Sequence, residues 1–85
     1  MARLTITKTN GDVSSHKVTP LIEYAFEIHF KKAFYSALVE DGQQTYLYWL
    51  AWKCLMLVED VKPFGENFLA TLEKVVLEND DDPKE

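Results

Sequence analysis

Cysteine is nearly absent from this chain, and the single Cys54 cannot close an internal disulfide, which excludes a small secreted scaffold held by bridges. Glycine is just as sparse. Gly11, Gly42 and Gly65 stand far apart, so no glycine-rich loop is present to cradle a phosphate. The two histidines, His16 and His29, show no metal-ligand spacing with each other or with Cys54. The run Asp80, Asp81, Asp82 lacks the loop glycine and distal glutamate of a calcium hand. No metal and no cofactor are expected. Long hydrophobic runs are missing too: the longest, 46–58, is thirteen residues with Lys53 inside it, too short and too polar to span a bilayer. The opening residues lack the apolar stretch of a signal peptide.

Positive charge is scarce where nucleic acid would need it. The formal charge is −5, and residues 78–85 hold five acids and one base, which leaves nine acids and eight bases in 1–77. A near-neutral body with an acidic end has no cluster to neutralise phosphates. The expectation is a soluble cytoplasmic domain with no nucleic-acid, membrane or small-molecule partner. What the chain does have is apolar bulk. It is 47% hydrophobic with eleven aromatics in 85 residues, enough for a core but marginal for a chain this short standing alone.

Periodicity places the elements. Leu4 and Ile6 alternate with Thr5 and Thr7, a strand pattern, and Asn10-Gly11 is a strong hairpin signal. Residues 13–18 read as a polar returning strand at an edge. Thr19-Pro20 suits a helix start, and 21–39 reads as one helix with Ile22, Phe26, Phe30, Ala33 and Ala37 on its core face. A second apolar stripe, Leu21, Tyr24, Ile28 and Tyr35, runs along the same helix, with Glu27 and Lys31 as an i, i+4 pair. Gly42 is a left-handed stop and Thr45 a candidate cap for a helix over 46–59. There Leu47, Leu50, Ala51, Cys54, Leu57 and Val58 form the core face, and Trp49, Trp52 and Met56 share the polar side. A third helix opens at Pro63 and runs to about residue 73. Val75, Val76 and Leu77 suit a last strand joining the hairpin, unless they prolong that helix. The sum is an α+β domain over 1–77, an N-terminal β-hairpin plus a short C-terminal strand packed with three helices. Residues 78–85 form a disordered, solvated acidic tail.

Candidates for chemistry are few. Cys54 could pair with His29 as a nucleophilic dyad, but its place mid-way along a buried helix face argues for a small inert hydrophobe. His29 falls at the edge of a core face and His16 on an exposed strand. Glu23 and Glu27 lie one turn apart with nothing to tune them. No catalytic residue emerges, and an enzyme is not expected. Surface is what remains. Trp49, Trp52 and Met56 are either covered by the third helix or the sheet, or they form a partner-binding patch with Tyr24, Ile28 and Tyr35. Two apolar stripes on one helix point to self-association or a tight complex.

The order of these segments resembles a known group. Leu4-Thr5-Ile6-Thr7, Asn10-Gly11-Asp12 and Lys17-Val18-Thr19-Pro20 leading into Ile22-Glu23-Tyr24-Ala25-Phe26-Glu27 resemble the opening of small tail assembly chaperones of long-tailed bacteriophages. Tyr48-Trp49-Leu50-Ala51-Trp52, Pro63-Phe64 with Phe68-Leu69, and Leu72-Glu73-Lys74-Val75-Val76-Leu77 are similar to the rest of that group. The likeness covers roughly 3–77. It implies a non-enzymatic protein of the host cytoplasm that binds the tape measure protein, keeps it soluble and gives way to tube subunits. It also implies a partner list of tape measure protein, further copies of itself, or both. Two other classes fit the composition: a small inhibitor of antitoxin or anti-defence type that uses the acidic tail, and a structural virion subunit. Particle mass spectrometry separates the last, since a chaperone leaves and a subunit stays.

Overall fold

A computed structural model describes residues 2–79. Strand β1, Ala2–Lys8, turns Ala2, Leu4 and Ile6 to one side and Arg3, Thr5 and Thr7 to the other. A loop over 9–11 returns the chain to β2, Val13–Lys17. The Lys8 N–H donates to Asp12 O (2.8 Å) and the Gly11 N–H to Lys8 O (2.9 Å). Gly11 takes φ 96° while Asn10 stays at negative φ. The Asn-Gly pair therefore makes a three-residue loop with a left-handed glycine rather than a two-residue turn with both residues at positive φ. The chain ends in β3, Leu72–Asn79, antiparallel to β1, so the sheet order is β2-β1-β3. The expected last strand over 75–77 is present and longer. Glu78 and Asn79, assigned to the tail by composition, belong to it, and the remainder of the expected tail lies outside the described residues.

The helices stack on the Leu4–Ile6 side of the sheet. Helix α1, Pro20–Phe30, starts with proline in its first turn, and Thr19 precedes it without a side-chain cap. The single helix expected over 21–39 is broken. Lys31 adopts φ 58°, and a short helix α2, Phe34–Ser36, continues as a π-turn over Ala37–Asp41 to a left-handed Gly42. The energetics of the break are legible. Continued as a helix, Phe34 would point to the side of Glu23 and Glu27. Broken, it is buried edge-on against Phe26 at 5.2 Å between ring centroids. Full burial of a phenylalanine is worth about 1.5–3 kcal/mol. A left-handed lysine costs about 1–2 kcal/mol. Glu27 tips the balance: instead of an ion pair on the helix surface, its Oε2 accepts the Phe34 N–H at 2.9 Å and caps α2.

Helix α3, Gln44–Met56, lies between the sheet and α1. Its start is Gln43 rather than the expected Thr45, with no side-chain cap. Leu50, Ala51 and Cys54 are buried as expected, but Leu57 and Val58 are exposed because the helix stops at Met56 and the 3.6-residue pattern stops with it. The third helix contracts to one turn, α4, Glu66–Leu69, since the chain must be extended from Leu72 to pair with β1. Phe68 anchors that turn in the core.

Two substitutions test the account of the break. Lys31→Gly should raise unfolding stability by about 0.5–1 kcal/mol by removing the left-handed penalty. Glu27→Ala should lower it by about 1 kcal/mol through the lost cap. Urea unfolding followed by tryptophan fluorescence reads both.

Candidate functional site

The six residues singled out by sequence divide into two groups. Tyr24 and Ile28 stand with Leu21 on the outer face of α1, at 66%, 58% and 58% exposure. Their spacing of three and four residues stacks them in one stripe, roughly 100–160° round the helix from the buried Ile22 and Phe26. Among the described residues nothing covers them. Tyr35 is equally open on α2, and its hydroxyl donates to Glu23 Oε2 at 3.4 Å, which sets its ring beside the first turns of α1. The negative charge of Glu23 holds the Tyr35 phenol above its ordinary pKa.

Trp49 belongs to the core, a correction to its expected place on a polar side. It is 5% exposed and meets Phe26, Phe30 and Trp52 at 6.1, 5.6 and 6.0 Å, with the His29 imidazole stacked on it at 5.0 Å. The cause is position: α3 is the central layer, so the side away from the sheet faces α1, not water. Trp52 is half-buried. Its indole N–H donates to Lys62 O at 2.9 Å, and its ring meets Phe64 at 5.9 Å and Lys53 Nζ at 5.9 Å. The segment after α3 thus folds back over it. Met56, at 40% exposure, remains a surface residue at the helix end.

The groups considered for chemistry take structural partners. Glu23 and Glu27 receive Tyr35 and the α2 backbone. Asp41 pairs with Lys32 Nζ at 2.9 Å and accepts from Tyr46 Oη at 3.0 Å, and Lys32 first, then Tyr46, hold its carboxyl below the usual carboxylate range. Cys54 is buried, and desolvation pushes its thiol up to about 11, the opposite of nucleophile activation. His29 is an exposed ring against Trp49, not a partner of Cys54. The histidine that shares a groove with Cys54 is His16, beside Thr19 and Ile22. His16 corrects another expectation. Paired with Leu4, it lies on the helix side of the sheet, half-buried, with Nε2 2.9 Å from Ser14 Oγ. Sequence pattern hid this because polar Ser14 and His16 occupy the inward positions of an edge strand. Among the described residues, no group of three or more His, Cys, Asp or Glu side chains is placed to hold a metal ion, and no helix is long and apolar enough to cross a membrane.

Three measurements follow. A thiol reagent should modify native Cys54 only as fast as the fold opens, and Cys54→Ala should cost about 1 kcal/mol. Desolvation lowers the His16 pKa below 6.5, outweighing the attraction of Glu59. The unfolded chain therefore takes up that proton first as the pH falls, so the stability His16 confers is full above about pH 6.5 and is lost below it. His16→Gln should flatten the fall in unfolding free energy between about pH 7 and 5.5.

In comparisons with protein-family models, with curated proteins and with solved structures, nothing matches this chain.

Proposed function

We propose that the chain is a non-enzymatic tail assembly chaperone of a long-tailed phage, which binds the tape measure protein and keeps it soluble before the tail tube replaces it. The observation that carries this reading is the uncovered stripe Leu21–Tyr24–Ile28 on a helix whose opposite face is core. A long amphipathic client helix presents a complementary stripe at the same spacing, and helix-on-helix docking needs no pocket. Tyrosine supplies large contact area at little cost in side-chain entropy, and the isolated Met56 adapts to varied sequence along a repetitive client. Near-neutral charge in 1–77 removes long-range repulsion from a client of either sign. The resemblance of the hairpin, the Trp49–Trp52 helix and the closing strand to such chaperones supports the same reading.

Co-expression with the tape measure protein of the same genome is the test, scored by client solubility and co-purification. Ile28→Asp with Tyr24→Ser should reduce capture by about tenfold or more. Because both side chains are exposed, unfolding stability should stay within about 0.5 kcal/mol of the parent chain. Undiminished capture by this variant refutes the stripe as the client face.

A further inference from the structure

Backbone hydrogen bonds alternate along β1, and the alternation fixes what β3 shows to solvent. The Lys8 N–H and the Ala2 carbonyl bond toward β2, to Asp12 O and from Val18 N–H, while the Thr9 N–H bonds the other way, to Thr71 O. The even-numbered residues of β1 thus serve β2, and Arg3, Thr5 and Thr7 serve β3 through their partners Glu78, Val76 and Lys74. The N–H and C=O groups of Val75 and Leu77 therefore point away from the sheet, along its far edge.

That edge is unusual in its sequence. The other edge, β2, is short and carries Ser14, Ser15, His16 and Lys17, a polar strand of the kind that resists strand addition. β3 is longer and places Val75, Val76 and Leu77 in succession. Beside them lies an open groove of about 310 Å³, closed on its helical side by Leu38, Gly42, Gln43 and Leu47. The regular part of the strand begins after a register shift at Thr7/Lys8, which leaves Glu73 unpaired and 74–79 as the straight stretch.

We infer that β3 joins two copies of this chain edge to edge, antiparallel, about a two-fold axis through Val76. The charge pattern selects that axis. Antiparallel pairing about Val76 sets Lys74 opposite the partner's Glu78, and Glu78 opposite the partner's Lys74, both on the helix-free face. Val75 and Leu77 face each other across the axis as the residues with free backbone groups, so each such pair exchanges two N–H···O bonds. Their side chains lie on the helix side, where the groove is lined by Leu38 and Leu47. Moving the axis one residue earlier sets Lys74 against Val76 and Glu78 against Leu72. Moving it one residue later sets Glu78 against Val76. Only the Val76 axis satisfies charges, backbone parity and groove together. The edge lies on a different element from the client stripe, so the inference does not depend on the identity of the client.

Sedimentation velocity of the full chain at micromolar concentrations should show a species of twice 9.8 kDa. Lys74→Glu and Glu78→Lys, each at an exposed position, should each raise the dimer dissociation constant about tenfold by opposing like charges at both symmetric pairs. The double variant Lys74→Glu/Glu78→Lys should restore it, a rescue that loss of folding cannot imitate. Val76→Lys, which sets two ammonium groups face to face on the axis, should give monomer. Amide exchange at Val75 and Leu77 should slow as concentration rises. A monomer throughout the range overturns the inference, as does a dimer indifferent to both reversals. A monomer whose client capture falls with Lys74→Glu also overturns it and assigns the edge to a client strand, whereas failure of client capture alone leaves the dimer standing.

Discussion

The Phe26 ring is the contact from which the rest of the helical layer follows. Fully buried, it meets Phe30, Phe34, Tyr46 and Trp49 with centroids 4.6 to 6.1 Å apart, and three of these contacts are edge-on, the arrangement that ring quadrupoles favour. To supply Phe34 the chain must leave the helix at Lys31. Supplying Tyr46 and Trp49 requires α3 to run between the sheet and α1, buried on both sides. Both demands turn the core face of α1 fully inward and leave Leu21, Tyr24 and Ile28 with no element among the described residues to cover them. The exposed stripe is thus a consequence of how this cluster is assembled.

Polar groups in such a layer act as ties. Glu27 caps the helix that the break creates. Asp41 holds Lys32 on one side and Tyr46 on the other, fastening the turn between α2 and α3. Lys8 pairs with Glu59 at 2.7 Å and fixes the segment after α3 against the end of β1. Exposed pairs of this kind contribute little energy singly, yet they set where connecting segments lie. Carboxylates committed in this way are poor candidates for acid–base work. Surface features without such a commitment are apolar or backbone in nature, and the α1 stripe and the far edge of β3 are two of them. The proposed client and the proposed second copy are assigned to these two separate faces.

The β elements were readable from local pattern because period-two alternation and the Asn10-Gly11 signal act over a few residues. The hairpin, the edge character of β2 and the last strand all follow from such signals. The α1 stripe was equally readable, since helical spacing alone separates Leu21, Tyr24 and Ile28 from Ile22 and Phe26. The element that buries Trp49 and the partial burial of His16 were not, because each depends on a neighbour distant in sequence: α1 for the indole, β1 and the helical layer for the imidazole. Thr45 as a cap failed for a simpler reason, since helix α3 begins before it.

By itself the sequence determined the class, the strand and helix order, the buried face of α1 and the inertness of a thiol set mid-way along a core helix. These are local matters of period, propensity and burial. Tertiary structure decided the break at Lys31, the central place of α3, the shrinkage of the third helix to α4, and which apolar residues stay in water. The physical reason is competition among neighbours. Lys31 has ordinary helix propensity and no local signal to stop, yet burying Phe34 against Phe26 outweighs the left-handed strain. That gain exists only once α1 and α3 have brought their rings together.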